Sequence, residues 1–264
     1  MSQPLVSVLT PTYNRRKFIP AAIACFKSQT YPMDRIEWIV LDNGTDKVGD
    51  LFAASGLKNV RYVPCPETDK LPVGAMRNRL NDLAKGEICV CMDDDDYYPP
   101  DRIRHAVNKL RSVPKRGVPV TGASHVHLFF TDRDEIWSIG PYNPNHCTNN
   151  TMAYWTTYGK ENRYEDDAKL AEERYFLKDW KTPVLQTQPE ETILVICHSA
   201  NTFDKRILLQ KKNPGMKLLN IKLKNIVKNK AQRDFYLSLA AEYKATPILV
   251  TPALDVSGTT ESPA

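Results

Sequence analysis

Apolar positions in residues 1–112 alternate between short β-prone runs and stretches of helical spacing. Residues 5–10 (LVSVLT) make a first β-prone run, closed by Pro11 and the turn-forming pair Tyr13-Asn14. Phe18, Ala21, Ala22, Cys25 and Phe26 then recur at helical intervals across residues 17–29. Residues 36–41 (IEWIVL) form a second strand candidate that runs into Asp42-Asn43-Gly44, and residues 60–63 a third. Pro72 opens a helix with Ala75, Met76, Leu80, Leu83 and Ala84 on its apolar side, and Gly86 stops it. Residues 87–92 form a fourth strand that ends in four consecutive aspartates, 93–96. A helix over 101–111 follows, with Ile103, Ala106, Val107 and Leu110 facing inward. Repeated strand–helix units predict an α/β fold with a mostly parallel sheet between layers of helices.

The pattern changes after residue 112. Residues 124–131 (SHVHLFFT) and 135–139 predict a hairpin turning at 132–134, and 152–158 is again β-prone. Residues 169–180 read as a helix with Leu170, Phe176, Leu177 and Trp180 apolar, and 192–197 (TILVIC) as a strand delivering His198. From Lys205 to Arg233 there are ten Lys or Arg and no acid. Within it Leu219, Leu223, Ile226 and Val227 share one side of a helix, which predicts a basic amphipathic helix near 216–230. That helix reads first as a surface helix with solvated lysines, and second as a peripheral contact with an anionic membrane. The Ser-, Thr- and Pro-rich stretch 251–264 reads as a disordered tail.

Bulk composition adds little. The chain has 264 residues and a formal charge of +5, enough for one large α/β domain with an anionic ligand somewhere. Six cysteines are spread without a CxxC pair, and no apolar run reaches the roughly 18 residues needed to span a bilayer. These features imply a reducing, cytoplasmic setting. No aromatic residue falls between Lys205 and Arg233 for bases to stack on, which argues against nucleic acid as a partner.

Three strands end in polar clusters, at 10–15, 42–46 and 93–96, where sheets of this type present ligands. Four adjacent aspartates repel one another unless something neutralises them. Mg²⁺ or Mn²⁺ does so with oxygen ligands and commonly bridges carboxylates to substrate phosphates. Asp93 and Asp95, two apart at a strand end, can point the same way.

Pro11-Thr12-Tyr13-Asn14-Arg15, Asp42-Asn43-Gly44, Gly74-Ala75-Met76-Arg77-Asn78 and Met92-Asp93-Asp94-Asp95-Asp96, in that order and spacing, resemble a family 2-type glycosyltransferase of the GT-A fold across about residues 5–205. The Asp96-Tyr97-Tyr98-Pro99-Pro100 continuation is also similar to glycosyltransferase-like proteins of large DNA viruses, which would place the chain in a host cytoplasm. The resemblance implies a catalytic domain over 1–204, divided into a nucleotide-binding half (1–112) and an acceptor half (113–204), with 205–250 a basic helical extension. It implies a nucleotide pocket lined by Pro11, Thr12, Tyr13 and Arg15, with Asp42 bonded to the base and Arg77 near phosphates or ribose. Asp93 and Asp94 would sit at the nucleotide sugar, and Asp95, with Asp93 and His198, would hold the metal.

Inverting members carry a Glu-Asp pair at a helix start, whose second acid is the base. Here the pair is Glu172-Glu173, so the resemblance implies Glu173 as the base in place of the commoner aspartate, with Glu165, Asp166, Asp167 and Glu172 itself as the competing acids. The activity implied is metal-dependent transfer of a hexosyl or deoxyhexosyl group, with inversion, from a nucleotide-diphosphate sugar (a UDP-sugar favoured) to a glycan hydroxyl. The rivals are a non-catalytic nucleotide- or glycan-binding module and a nucleotidyltransferase. The latter usually has a Gly-rich loop after the first strand, where this chain has Thr10-Pro11-Thr12-Tyr13-Asn14.

Overall fold

The computed structural model describes residues 3–66, 68, 70–114, 117–210 and 215–248. Eleven strands are found among them: β1 (Val6–Thr12), β2 (Ile36–Asp42), β3 (Val60–Pro64), β4 (Ile88–Cys91), β5 (Val120–Gly122), β6 (Val126–Phe130), β7 (Glu135–Ile139), β8 (Ala153–Trp155), β9 (Val184–Gln186), β10 (Leu194–Cys197) and β11 (Met216–Leu219). The larger sheet runs in the order β3-β2-β1-β4-β8-β5-β9. Its first four strands are parallel, and β8 is antiparallel to both β4 and β5. A second sheet, β10-β6-β7-β11, stands beside it. The two meet at the end of the aspartate run, where Tyr97 and Leu194 exchange backbone hydrogen bonds of 3.1 and 2.9 Å.

Alternate residues of the central strands enter different layers, as a two-residue repeat requires. Val8, Trp38 and Val40 join one core with α1 (Ile19–Lys27) and α4 (Arg102–Arg111). Leu9, Ile39 and Leu41 join the other with α3 (Val73–Leu83). A short helix α2 (Gly49–Ala54) sits between β2 and β3.

Gly74 is the reason α3 can start where it does. A Cβ there would lie 1.9 Å from the carbonyl oxygen of Glu165, so the helix touches the 165–168 backbone only because this residue has no side chain. Gly74→Ala is expected to cost about 2–3 kcal/mol through forced separation of these backbones. A denaturation midpoint equal to wild type would contradict this account.

Two helix expectations are corrected. Residues 169–180 form only α6 (Glu173–Phe176), following α5 (Thr156–Glu161). Ala171, Lys178, Asp179 and Trp180 all have positive φ and cannot continue a right-handed helix. Tertiary packing overrides spacing here, since Phe176 is fully buried and stacks on Tyr164 at 4.2 Å. The basic helix at 216–230 is likewise absent. Its start is β11, paired antiparallel with β7, and its middle is the single turn α9 (Leu223–Ile226), after α7 (Pro189–Thr192) and α8 (Arg206–Gln210). Leu223 and Val227 are buried in the core, so no apolar stripe is left to lie on a membrane. Two further helices, α10 (Lys230–Ser238) and α11 (Ala240–Ala245), contribute Tyr236 and Tyr243 to the core shared with α1. Leu223, Val227, Tyr236, Leu239 and Tyr243 thus share a hydrophobic core with residues of α1 and β1, while the tail at 251–264 lies outside the described residues. All six cysteines are buried thiols, and no helix among the described residues is long and apolar enough to cross a membrane.

Candidate active site

A cleft of about 460 Å³ opens at the carboxyl ends of β1 and β4. One wall is Pro11, Thr12, Tyr13 and Arg15 after β1, with Met76 and Arg77 of α3. The floor is Asp93–Asp96. The opposite wall comes from the second half of the chain, with Asn150, Leu170, Glu172, Asn201 and Lys205. Tyr13 stands on the rim, 57% exposed.

The four aspartates fall into two kinds. Asp93 and Asp95 are partly open, whereas Asp94 and Asp96 are buried. Asp96 ties the sheets together: it accepts the Ile196 N–H at 2.9 Å and the Asn150 amide at 2.8 Å. Burial and the charge of Asp95 push Asp96 up to about 8, and they raise Asp94 well above the carboxylate range. Burial raises Asp93 too, against the opposing charge of Arg77 3.2 Å away. For Asp95 burial is outweighed by the hydrogen bond from His198 and the charge of Arg15, and its carboxyl lies well below the usual range. Burial thus shifts the enclosed pair toward the neutral form, while the open pair is ion-paired to Arg77 and Arg15.

His198 sits directly beside Asp95. Its Nδ1 accepts the Ala200 N–H at 3.1 Å, and its Nε2 lies 3.2 Å from Asp95 Oδ2 and 3.0 Å from the Asn201 amide nitrogen. The Asn201 amide approaches the same Asp95 oxygen at 3.4 Å. The His198 ring is fully buried against Phe18 at 4.4 Å and holds Asp95 in place.

Asp42 is fully buried and outside the cleft lining, and its oxygens accept from Gly44 N–H (2.8 Å), Val48 N–H (3.0 Å) and the Tyr62 hydroxyl (2.5 Å). It shapes the 43–48 loop. Arg77 lines the cleft, but its donors serve carboxylates: Nε bonds Glu172 at 2.7 Å, and Nη1 and Nη2 bond Asp93 at 3.2 and 3.4 Å. Burial works against its charge, and Asp93 and Glu172 more than restore it.

Glu172 is therefore a clamped carboxylate on the cleft wall. Glu173, the first residue of α6, is half-buried behind it and lies outside the cleft lining. Burial first, and the adjacent charge of Glu172 second, push Glu173 up to about 8.

The donor set was tested for a divalent cation. No group of three His, Cys, Asp or Glu able to hold a metal is found among the described residues. Of the acids lining the cleft, Asp93 and Asp95 are partly open, and buried Asp94 Oδ2 has no hydrogen-bond partner among the described residues. That set fits a hard cation of the Mg²⁺ or Mn²⁺ type, which takes one or two carboxylates and completes its shell from phosphates and water. Asn150, Asn201 and Lys205 are cleft residues that spacing did not single out. Asn201 follows His198 by one turn, but Lys205 was hidden at the head of the basic stretch.

A parallel sheet with an acidic strand end, an antiparallel β8 and a second sheet closing the cleft define a GT-A type fold. Residues 7–153, more than half of the chain, match the model of glycosyl transferase family 2. The chain belongs to this family. It is 30% identical over 101 residues to the putative glycosyltransferase EpsH of Bacillus subtilis, covering 38% of this chain and 29% of that protein. It is 26% identical over 187 residues to the poly(ribitol-phosphate) β-N-acetylglucosaminyltransferase TarS of Staphylococcus aureus, covering 64% and 31%. The chain thus spans about a third of the length of these curated relatives. Among solved structures, the mannosyltransferase PcManGT of Pyrobaculum calidifontis, in complex with GDP-Man and Mn²⁺, superposes with a TM-score of 0.58 at 17% identity, covering 76% of this chain and 59% of that one. S. aureus TarS gives 0.52 at 19% identity, covering 72% and 36%.

Proposed function

We propose that this chain transfers a sugar from a nucleotide-diphosphate sugar to an acceptor hydroxyl, with inversion at the anomeric carbon. The observation that carries it is the pairing of open carboxylates at the end of β4 with Glu172, clamped by Arg77 on the facing wall, and with the half-buried Glu173 next to it. The donor lies in the cleft over Asp93 and Asp95, with its nucleoside against Pro11, Thr12 and Tyr13. Asp95, with Asp93 beside it, would hold Mg²⁺ or Mn²⁺, which when bound supplies charge that stabilises the departing diphosphate. His198, Asn201 and Arg15 fix Asp95, and Arg77 fixes Asp93 and Glu172.

Glu173 accepts the proton of the acceptor hydroxyl. The acceptor oxygen bonds to the anomeric carbon while the bond from that carbon to the diphosphate oxygen breaks. The products are the glycoside and the nucleoside diphosphate. Attack opposite the leaving group inverts the centre, so a product that retains the donor's configuration would refute this step. A UDP-linked donor is the preferred reading, supported by the TarS structure in complex with UDP-GlcNAc (TM-score 0.50, 19% identity), and a glycan acceptor follows from the sequence resemblance alone.

The test is calorimetric binding of UDP, GDP and CDP with and without Mn²⁺, to wild type and Asp95→Asn. Metal-dependent binding of one nucleotide, lost in the variant, is expected. Absence of binding to all three by wild type would overturn the reading.

A further inference from the structure

The cleft holds four cations, and three are accounted for differently from the fourth. Arg15 lies 3.5 Å from Asp95, and Arg77 gives its donors to Glu172 and Asp93. Lys169 is on the exposed rim. Lys205 is half-buried in the wall and has no hydrogen-bond or salt-bridge partner among the described residues.

Its two chain neighbours are pinned. Asp204 and Arg206 form a forked ion pair, with Nη2 to Oδ2 at 2.6 Å and Nε to Oδ1 at 3.0 Å. The Tyr243 hydroxyl donates to Asp204 Oδ1 at 2.7 Å. Arg206 donates to the carbonyls of Tyr243 (2.8 Å) and Thr246 (3.0 Å), and its guanidinium lies 4.1 Å from the Tyr243 ring centroid. Helix α11 thus fixes the backbone on which Lys205 stands.

We propose that Lys205 is the cation that receives the diphosphate of the nucleotide, and that the Asp204–Arg206–Tyr243 clasp is its positioning device. Lys205 acts on Asp95 and Asp96 through space but makes no hydrogen bond or ion pair with a described residue, so its half-buried ammonium keeps its donors for an anion in the cleft. The carboxylates of the floor and Glu172 oppose a diphosphate, Arg15 and Arg77 are committed to those carboxylates, and Lys205 adds to the positive charge that a bound cation would supply. Lysine suits phosphate as a point charge that needs no fixed fork. This inference rests on the nucleotide-sugar reading above.

The test compares wild type, Lys205→Ala, Lys205→Arg, Tyr243→Phe and the Lys205→Ala/Tyr243→Phe double variant. Each is titrated, with Mn²⁺ present, with the nucleoside diphosphate that wild type binds and with the matching nucleoside. Lys205→Ala should weaken diphosphate binding by about tenfold or more and leave nucleoside binding unchanged. Lys205→Arg should restore most of the loss. Tyr243→Phe should weaken diphosphate binding by a smaller factor, and should add nothing in the Lys205→Ala background, because it acts through that lysine. A Lys205→Ala protein that binds the diphosphate like wild type overturns the proposal alone. Additive effects in the double variant overturn the clasp. Wild type without affinity for any nucleoside diphosphate overturns both this proposal and the transferase reading.

Discussion

Replacing Glu173 with glutamine is expected to lower turnover by roughly 10²–10⁴-fold while leaving donor binding intact, the range for loss of a positioned general base. Glutamine keeps the side chain's size but cannot take a proton. The environment of Glu173 sets the pH dependence. Its carboxyl is raised to about 8 by burial and by Glu172, so at pH 7 most of the population is protonated and inactive as a base. The rate should therefore rise with pH and level off above about 8, with the rise absent in Glu173→Gln. Glu172→Gln tests the neighbouring acid. It removes the charge that Arg77 clamps at 2.7 Å and should also flatten the part of the shift that Glu172 causes. If Glu172→Gln abolishes turnover while Glu173→Gln retains it, the roles of the two acids are reversed.

The second large effect is expected at Asp95. Asp95→Asn keeps an oxygen for His198 and Asn201 but removes the charge, and turnover should fall by about 10²–10³-fold or more, as when a group facing developing transition-state charge is lost. Asp94→Asn and Asp96→Asn are instructive contrasts, since both carboxyls are raised toward the neutral form. They should change turnover far less than Asp95→Asn. Equal losses at all three positions would mean that the aspartates act as one collective charge, contrary to the division into open and enclosed pairs. Initial rates with a fixed donor and saturating Mn²⁺ separate these cases.

Much of the first half could be read from spacing because its elements are long and regular. The buried set Ile103, Ala106, Val107 and Leu110 is the one the 3.6-residue repeat predicts, and the first four strands lie where apolar runs place them. Three-residue strands such as β5 and β9 carry too little pattern to be seen. The failure at 216–230 has a clear cause. Leu219 ends a strand, while Leu223 and Val227 belong to the turn after it, so their helical spacing is a coincidence of two elements. Local sequence cannot reveal that β7 has an edge for Met216–Leu219 to pair with.

In the site, the acidic strand end announced itself, but the division of labour did not. Asp42 is held in part by Tyr62, twenty residues away in sequence. His198 is oriented by one backbone N–H, that of Ala200. Lys205 was invisible because nine other basic residues follow it before Asp234.

The cleft's two walls also differ in how they are built along the chain. The match to the family model covers residues 7–153, so it takes in Tyr13, Arg77, the aspartates and Asn150, while Glu172, His198, Asn201 and Lys205 come from the stretch that follows it. The far side of the groove is thus assembled almost wholly from short turns and single-turn helices, and the near side from the ends of β1 and β4 and from helix α3.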